Sequence, residues 1–252
     1  MNIKKNQFKQ AIKSGRHQKG LWTTLANTYS TEAVAGAGFD WLLIDMEHSP
    51  NDLNSVLLQL QTIGAYPVTS VVRPIWNDPL EIKRLLDIGV QTFLIPYVQN
   101  AAEAEAAVKS VRYPPRGIRG VSALTRATSF GRIVDYMKSC EDEICVLVQV
   151  ETPEALNQIE SIGAIEGVDG IFIGPGDLSA SMGYPGQLKH PHVLDAIEDG
   201  IKRIIKTGRA PGILTGDKEL AHRFIEQGSL FTAVGVDAGL LARAADSLAK
   251  EF

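Results

Sequence analysis

The chain has 252 residues, 44% of them apolar and 21% charged, with a formal net charge of −4. That length can bury one large core, and a single domain over residues 1–252 is expected, as barrels of this size fold as one unit. The charge is small and dispersed, with no basic block, no aromatic–basic interleaving and no apolar run of membrane-spanning length, which argues against nucleic-acid or membrane partners.

In chain order, MNIKKNQFKQAIKSG places Ile3, Phe8 and Ile12 among lysines, the pattern of a short surface helix without the apolar stretch of a secretory signal. Eight short aliphatic or β-branched runs follow: Gly20–Thr24, Trp41–Met46, Thr69–Arg73, Thr92–Pro96, Cys145–Val150, Gly170–Ile173, Pro211–Leu214 and Phe231–Val236. Several are apolar throughout, as strands buried on both faces are, and the segments between them carry helical spacing, as in Leu53, Val56, Leu57, Leu60 and Ile63. Val193, Ile197, Ile201, Ile204 and Ile205 form another such stripe, opened by His-Pro-His and stopped by Gly208. Eight alternations, with no G-x-G-x-x-G after the first strand, predict an α/β protein with a closed (β/α)8 TIM barrel. Between the fourth and fifth strands the spacing lengthens, and YPPRGIRGVSALTRATSFGR, around residues 114–131, is expected to form a lid or substrate loop above the barrel mouth. The only cysteines, Cys140 and Cys145, have no clustered His or Cys partners, which indicates neither a disulfide framework nor a zinc site and fits a cytoplasmic protein.

Active sites of such barrels lie at the carboxyl ends of the strands. Asp45, Glu47 and His48 follow the second strand, Arg73 the third, Gln149 and Glu151 the fifth, and Gly174-Pro175-Gly176-Asp177 the sixth. Gln149 and Glu151 are two apart and share a strand face. With Asp177 beside it, Glu151 makes a carboxylate pair that a hard cation such as Mg²⁺ or Mn²⁺ would relieve. Helix capping is the alternative for each acid taken alone. His48 is the only one of five histidines at a strand's carboxyl end and is a candidate general base, with Asp45 three residues earlier able to orient its ring. Arg73 suits an anion clamp or a stabiliser of an enolate. The glycine-rich turn at Gly174–Asp177 can offer backbone N–H groups to a substrate carboxylate. No strand end carries a lysine, since Lys19 precedes the first strand and Lys83, Lys109, Lys202 and Lys206 lie in helical patterns, so no Schiff base is expected and a metal must hold the electrons.

The segments FDWLLIDMEHSPND, VVRPIWNDP, LLDIGVQTFLIPYVQN, RYPPRGIRGV, LVQVET, GVDGIFIGPGDLSASMGYPG, GILT and AVGVDAGLLARA together cover nearly the whole chain. In them the sequence resembles the metal-dependent hydroxy-oxo-acid aldolases of the HpcH/HpaI group, which includes 4-hydroxy-2-oxoheptanedioate and 2-keto-3-deoxy sugar-acid aldolases of aromatic and sugar-acid catabolism. The resemblance implies reversible cleavage of a 4-hydroxy-2-oxo acid to pyruvate and an aldehyde, with Mg²⁺, Mn²⁺ or Co²⁺ as cofactor. It implies that Glu151 and Asp177 hold the metal, that His48 with Asp45 is catalytic, that Arg73 and Gln149 contact substrate, and that Asp87 reaches in from a neighbouring subunit. It further implies a C-terminal helix exchanged between protomers of a homo-oligomer, a hexamer. Two alternatives remain: a lyase acting on malyl-CoA or citramalyl-CoA, whose nucleotide would need a basic surface, offered only around Arg112, Arg116 and Arg119; and a non-catalytic oxo-acid-binding barrel.

Overall fold

In the computed structural model, which describes residues 1–252, all eight expected runs are strands, parallel and closed into a barrel in sequence order. The chain opens with α1 (Gln7–Lys13), β1 (Gln18–Thr23), α2 (Thr28–Ala35), β2 (Trp41–Asp45), α3 (Leu53–Ile63), β3 (Thr69–Arg73) and α4 (Pro79–Asp87). β4 (Thr92–Ile95) leads to α5 (Ala101–Val111) and α6 (Tyr136–Glu143), and β5 (Cys145–Val150) to the short α7 (Pro153–Leu156) and α8 (Ile159–Gly163). β6 (Gly170–Ile173) precedes α9 (Pro175–Ser181) and α10 (Pro191–Lys206), then β7 (Ala210–Leu214) precedes α11 (Lys218–Glu226), and β8 (Phe231–Val236) precedes α12 (Asp237–Ala249). Side chains of Asn27, Asp52, Asp78, Asn100, Thr152 and Asp217 accept first-turn N–H groups and so fix where the loops above the strands end.

Strand periodicity sorts the core into two layers. Leu42, Ile44, Val72, Val146, Val148 and Val150 face the helices, whereas Trp41, Leu43, Val71, Cys145 and Leu147 fill the barrel with Trp22, Phe172 and Phe231. Continuing the inward series in steps of two brings Asp45, Arg73, Gln149 and Glu151 to the carboxyl ends of their strands. Glycines admit the large interior rings: a Cβ on Gly20 would overlap the Trp41 indole, and one on Gly212 the Phe231 ring. Gly20→Ala is therefore expected to destabilise the barrel by roughly 1–3 kcal/mol through overpacking, read as a lowered unfolding midpoint in denaturant.

Three expectations change. The N-terminal helix is not a surface element: Phe8 of α1 is fully buried, its ring 5.8 Å from both Trp41 and Phe231, so α1 plugs the barrel where the strands begin. The long excursion is not a lid over its own barrel, because it follows α5 and so lies where the chain re-enters the strands. There Ala127 N–H donates to Asp87 O, Arg126 Nη1 to Ile88 O and the Met1 amino group to Arg132 O. The cluster of Arg112, Arg116 and Arg119 lies in this same segment, away from the mouth of its own barrel, and its charges have partners within the chain. Arg112 and Arg116 pair with Glu141 and Glu166, while Arg119 is buried against the Tyr113 and Tyr136 rings. No helix is long and apolar enough to cross a membrane.

Candidate active site

The inward residues at the strand ends form one connected polar floor. Arg73, at the end of β3, donates from Nε to Asp45 Oδ1 at 2.8 Å and from Nη2 to Asp45 Oδ2 at 2.7 Å. Its Nη1 lies 2.7 Å from Glu47 Oε2, and its guanidinium carbon sits 5.3 Å from the centroid of the Trp22 ring beneath. Burial works against the Arg73 charge, but the carboxylates of Asp45, Glu47 and Glu151 outweigh it and hold its pKa above the ordinary value. N–H groups on Nη1 and Nη2 remain for an incoming oxygen.

Asp45 is thus the bidentate partner of Arg73, which corrects the expectation that it orients His48. Asp45 ends β2 pointing inward, whereas the chain bends beyond it, with the Ser49 hydroxyl and the Asn51 amide both donating to Asp45 O. The His48 side chain stands on the rim, 65% exposed, and its nearest acid is Glu47, with Nε2 3.9 Å from Oε1. Glu47 had no role in the sequence reading, although it lies between the two residues singled out there. Burial raises its pKa, opposed by Arg73 and His48 and reinforced by Asp45 and Asp177.

On the other side, Glu151 is only 1% exposed. It accepts from Gln149 Nε2 at 2.6 Å on Oε2 and from the Tyr97 N–H at 3.0 Å on Oε1. Burial pushes its pKa up to about 7, with Asp177 and Glu47 adding to the rise and the two hydrogen bonds opposing it. Capping does not explain either acid. Thr152, not Glu151, caps α7, and Asp177 sits in the first turn of α9 without a capping bond. Gln149 Oε1 is buried without a partner. With Glu151 ionised, the reverse amide assignment would turn that oxygen onto the carboxylate, so the ionised site holds an unsatisfied acceptor beside a buried acid. This combination fits a divalent cation with coordinated water. No three His, Cys, Asp or Glu side chains converge as a closed cage.

Gly174 is required by its neighbour. A Cβ there would overlap Glu151 Oε2 and come within 2.9 Å of Glu151 Cβ and 3.0 Å of Gln149 Nε2. Gly174→Ala is expected to weaken divalent-metal affinity by about 10–100-fold, checked by Mn²⁺ titration of the metal-free protein. The expected N–H cradle at Gly174–Asp177 is narrower than its sequence suggests. Gly174 N–H already donates to Val150 O at 3.0 Å, and Pro175 has no N–H, so only Gly176 and Asp177 can offer backbone donors. Asp87 ends α4, beside the strand starts, where burial raises its pKa against Arg119 and Lys83. It does not reach the mouth of its own barrel. Of the lysines, Lys189 lies in the loop after α9 but pairs with Asp217 at 2.5 Å.

The fold and the floor define a (β/α)8 barrel with an arginine-braced acidic mouth. The chain belongs to the HpcH/HpaI aldolase/citrate lyase family, whose model matches residues 18–244. It is 58% identical over 248 residues to the 4-hydroxy-2-oxo-heptane-1,7-dioate aldolase of Escherichia coli (strain ATCC 8739), covering 98% of this chain and 95% of that protein. The enzyme of the same name from Salmonella dublin is 59% identical over 249 residues, with 98% and 95% covered. Among solved structures, an HpcH/HpaI aldolase/citrate lyase family protein from Burkholderia cenocepacia J2315 superposes with a TM-score of 0.94 at 38% identity, covering 98% of each chain.

Proposed function

We propose that this chain is a class II aldolase that reversibly cleaves a 4-hydroxy-2-oxo acid to pyruvate and an aldehyde. The observation that carries this reading is the buried Glu151 carboxylate, held near Asp177 and across from Arg73. Glu151 and Asp177 are the residues that would hold a divalent cation, Mg²⁺, Mn²⁺ or Co²⁺, with Gln149 Oε1 receiving a hydrogen bond from water or substrate. When bound, the cation supplies a Lewis acid that polarises the keto group and offsets enolate charge.

The remaining work falls to the chain. In the cleavage direction a base takes the proton from the C4 hydroxyl, the C3–C4 bond breaks, the aldehyde leaves and the electron pair is delocalised as pyruvate enolate. His48, at the rim and free of hydrogen bonds, is that base, directly or through a water, and returns the proton to C3 of the enolate to give pyruvate; in the reverse direction it takes a C3 proton and delivers it to the aldehyde oxygen as the new bond forms. The free N–H groups of Arg73 face the oxygen on which charge grows, and Asp45 holds the guanidinium in place for it. The N–H groups of Gly176 and Asp177 receive the substrate carboxylate. Trp22 and the apolar barrel beneath keep water from the floor.

The single domain is proposed to work as a homo-oligomer, a hexamer by family resemblance. One observation supports assembly. Only Asp237 of α12 is buried, leaving Leu240, Leu241 and Leu248 exposed as an exchanged helix would; in such an assembly Asp87, which the family resemblance makes catalytic, would serve another subunit's mouth. The free, buried Cys140 and Cys145 suit the reducing cytoplasm. The proposed activity is tested by following pyruvate release from 4-hydroxy-2-oxoheptane-1,7-dioate and from 2-keto-3-deoxy sugar acids with added Mg²⁺, Mn²⁺ or Co²⁺. Metal-dependent pyruvate release supports it, and release of no pyruvate from any of them contradicts it.

A further inference from the structure

Tyr97 is the second residue beyond β4, and its φ of +52° lies in the left-handed region that aromatic residues rarely occupy. Something must hold it there. Inward, its N–H donates to Glu151 Oε1 at 3.0 Å, and the next N–H, of Val98, donates to Gln149 O at 2.9 Å. The turn therefore grips the end of β5 at Gln149 and Glu151, the two residues that this strand end brings to the polar floor. Outward, the Tyr97 ring stacks on Trp76, with centroids 5.5 Å apart and planes at 30°, which ties the loop after β4 to the loop after β3. Both rings are otherwise open to solvent, Trp76 at 53% and Tyr97 at 41%, so core packing does not explain the pair.

We propose that Tyr97 is a positioning residue for the cation site: its stack on Trp76 holds the left-handed turn that aims the Tyr97 N–H at Glu151. This rests on the reading of Glu151 as a cation ligand. Each carboxylate oxygen keeps a second lone-pair direction, so the bonds from Tyr97 and Gln149 orient Glu151 without blocking it. A ligand already fixed in one rotamer gives up less freedom when the cation arrives. Trp76 and Tyr97 thereby carry the geometry of the third loop to a residue that neither ring touches.

The test is titration of Mn²⁺ into metal-free protein, followed by the EPR signal of free Mn²⁺, with thermal unfolding of each metal-free variant alongside. Tyr97→Phe keeps the stack and is expected to bind within about twofold of wild type, while Tyr97→Ala and Trp76→Ala weaken binding by about tenfold or more. Because the two rings act as one unit, the double variant is expected to bind no more weakly than the weaker single variant. Tyr97→Gly takes a positive φ without steric cost, so it serves where Tyr97→Ala does not fold, and it too is expected to weaken binding because the stack is lost. Wild-type affinity in Tyr97→Ala, Tyr97→Gly and Trp76→Ala would overturn the inference while leaving the cation site intact. Absence of Mn²⁺ binding by the wild-type protein, or undiminished binding by Glu151→Gln, would overturn the cation reading itself.

Discussion

Glu151→Gln is expected to remove divalent-metal binding and to lower kcat/KM by about a thousandfold or more, because a Lewis acid supplies several kcal/mol of transition-state stabilisation. The substitution is close to isosteric and keeps a carbonyl oxygen for the Tyr97 N–H, so the fold should persist. The pH dependence separates loss of the charge from loss of the fold. In the metal-free protein burial, with Asp177 and Glu47 nearby, raises the Glu151 pKa from the ordinary 4.5 to about 7. A raised acid favours folding while protonated, so its contribution is fully present below 4.5 and is lost as pH rises through about 7. A cation must displace that proton, so the apparent Mn²⁺ affinity should fall roughly tenfold per pH unit below about 7 and level off above it. Calorimetric titration of the wild-type protein at several pH values checks both limbs of the affinity, and in denaturant unfolding of the metal-free proteins the pH-linked contribution of Glu151 should be absent from Glu151→Gln.

Arg73→Lys is expected to lower kcat by about 10²–10³-fold while leaving Mn²⁺ affinity within a few-fold of wild type. A guanidinium meets both oxygens of Asp45, lies beside Glu47 and stacks on Trp22, whereas an ammonium is a point charge that cannot reproduce the planar fork. Arg73→Met goes further, since it leaves the Asp45 carboxylate, 1% exposed, without its buried counter-charge. That variant should lose about 3–5 kcal/mol of stability, measured by denaturant unfolding. Steady-state kinetics with Mn²⁺ titration on Arg73→Lys then separates a role in chemistry from a role in metal binding.

The barrel was legible because its strands are buried on both faces and so read as apolar runs, while the helices between them keep one wet side. Strand periodicity carried the site as well: Asp45, Arg73, Gln149 and Glu151 each extend an inward-facing series that begins with residues such as Trp41, Val71 and Leu147. What failed to show depended on chain direction or on the backbone. The segment around residues 114–131 looked like a lid by its length, but α5 stands between β4 and that segment and carries the chain to the other end first. Asp45 and His48 are three apart in sequence, yet the end of β2 turns one inward and the bend after it turns the other outward. Glu47 was visible but lay between more familiar residue types. Tyr97 acts through an N–H and a positive φ, and neither leaves a mark in a sequence where the residue is not glycine.

The identity of the aldehyde is secondary to whether the protein makes a metal-dependent pyruvate enolate, and that step can be watched alone. The pyruvate methyl signal is followed by NMR in D₂O with the protein and Mg²⁺. Exchange for deuterium faster than with Mg²⁺ alone, abolished by EDTA and in Glu151→Gln, is the predicted result. Exchange that persists in EDTA or in Glu151→Gln would contradict it.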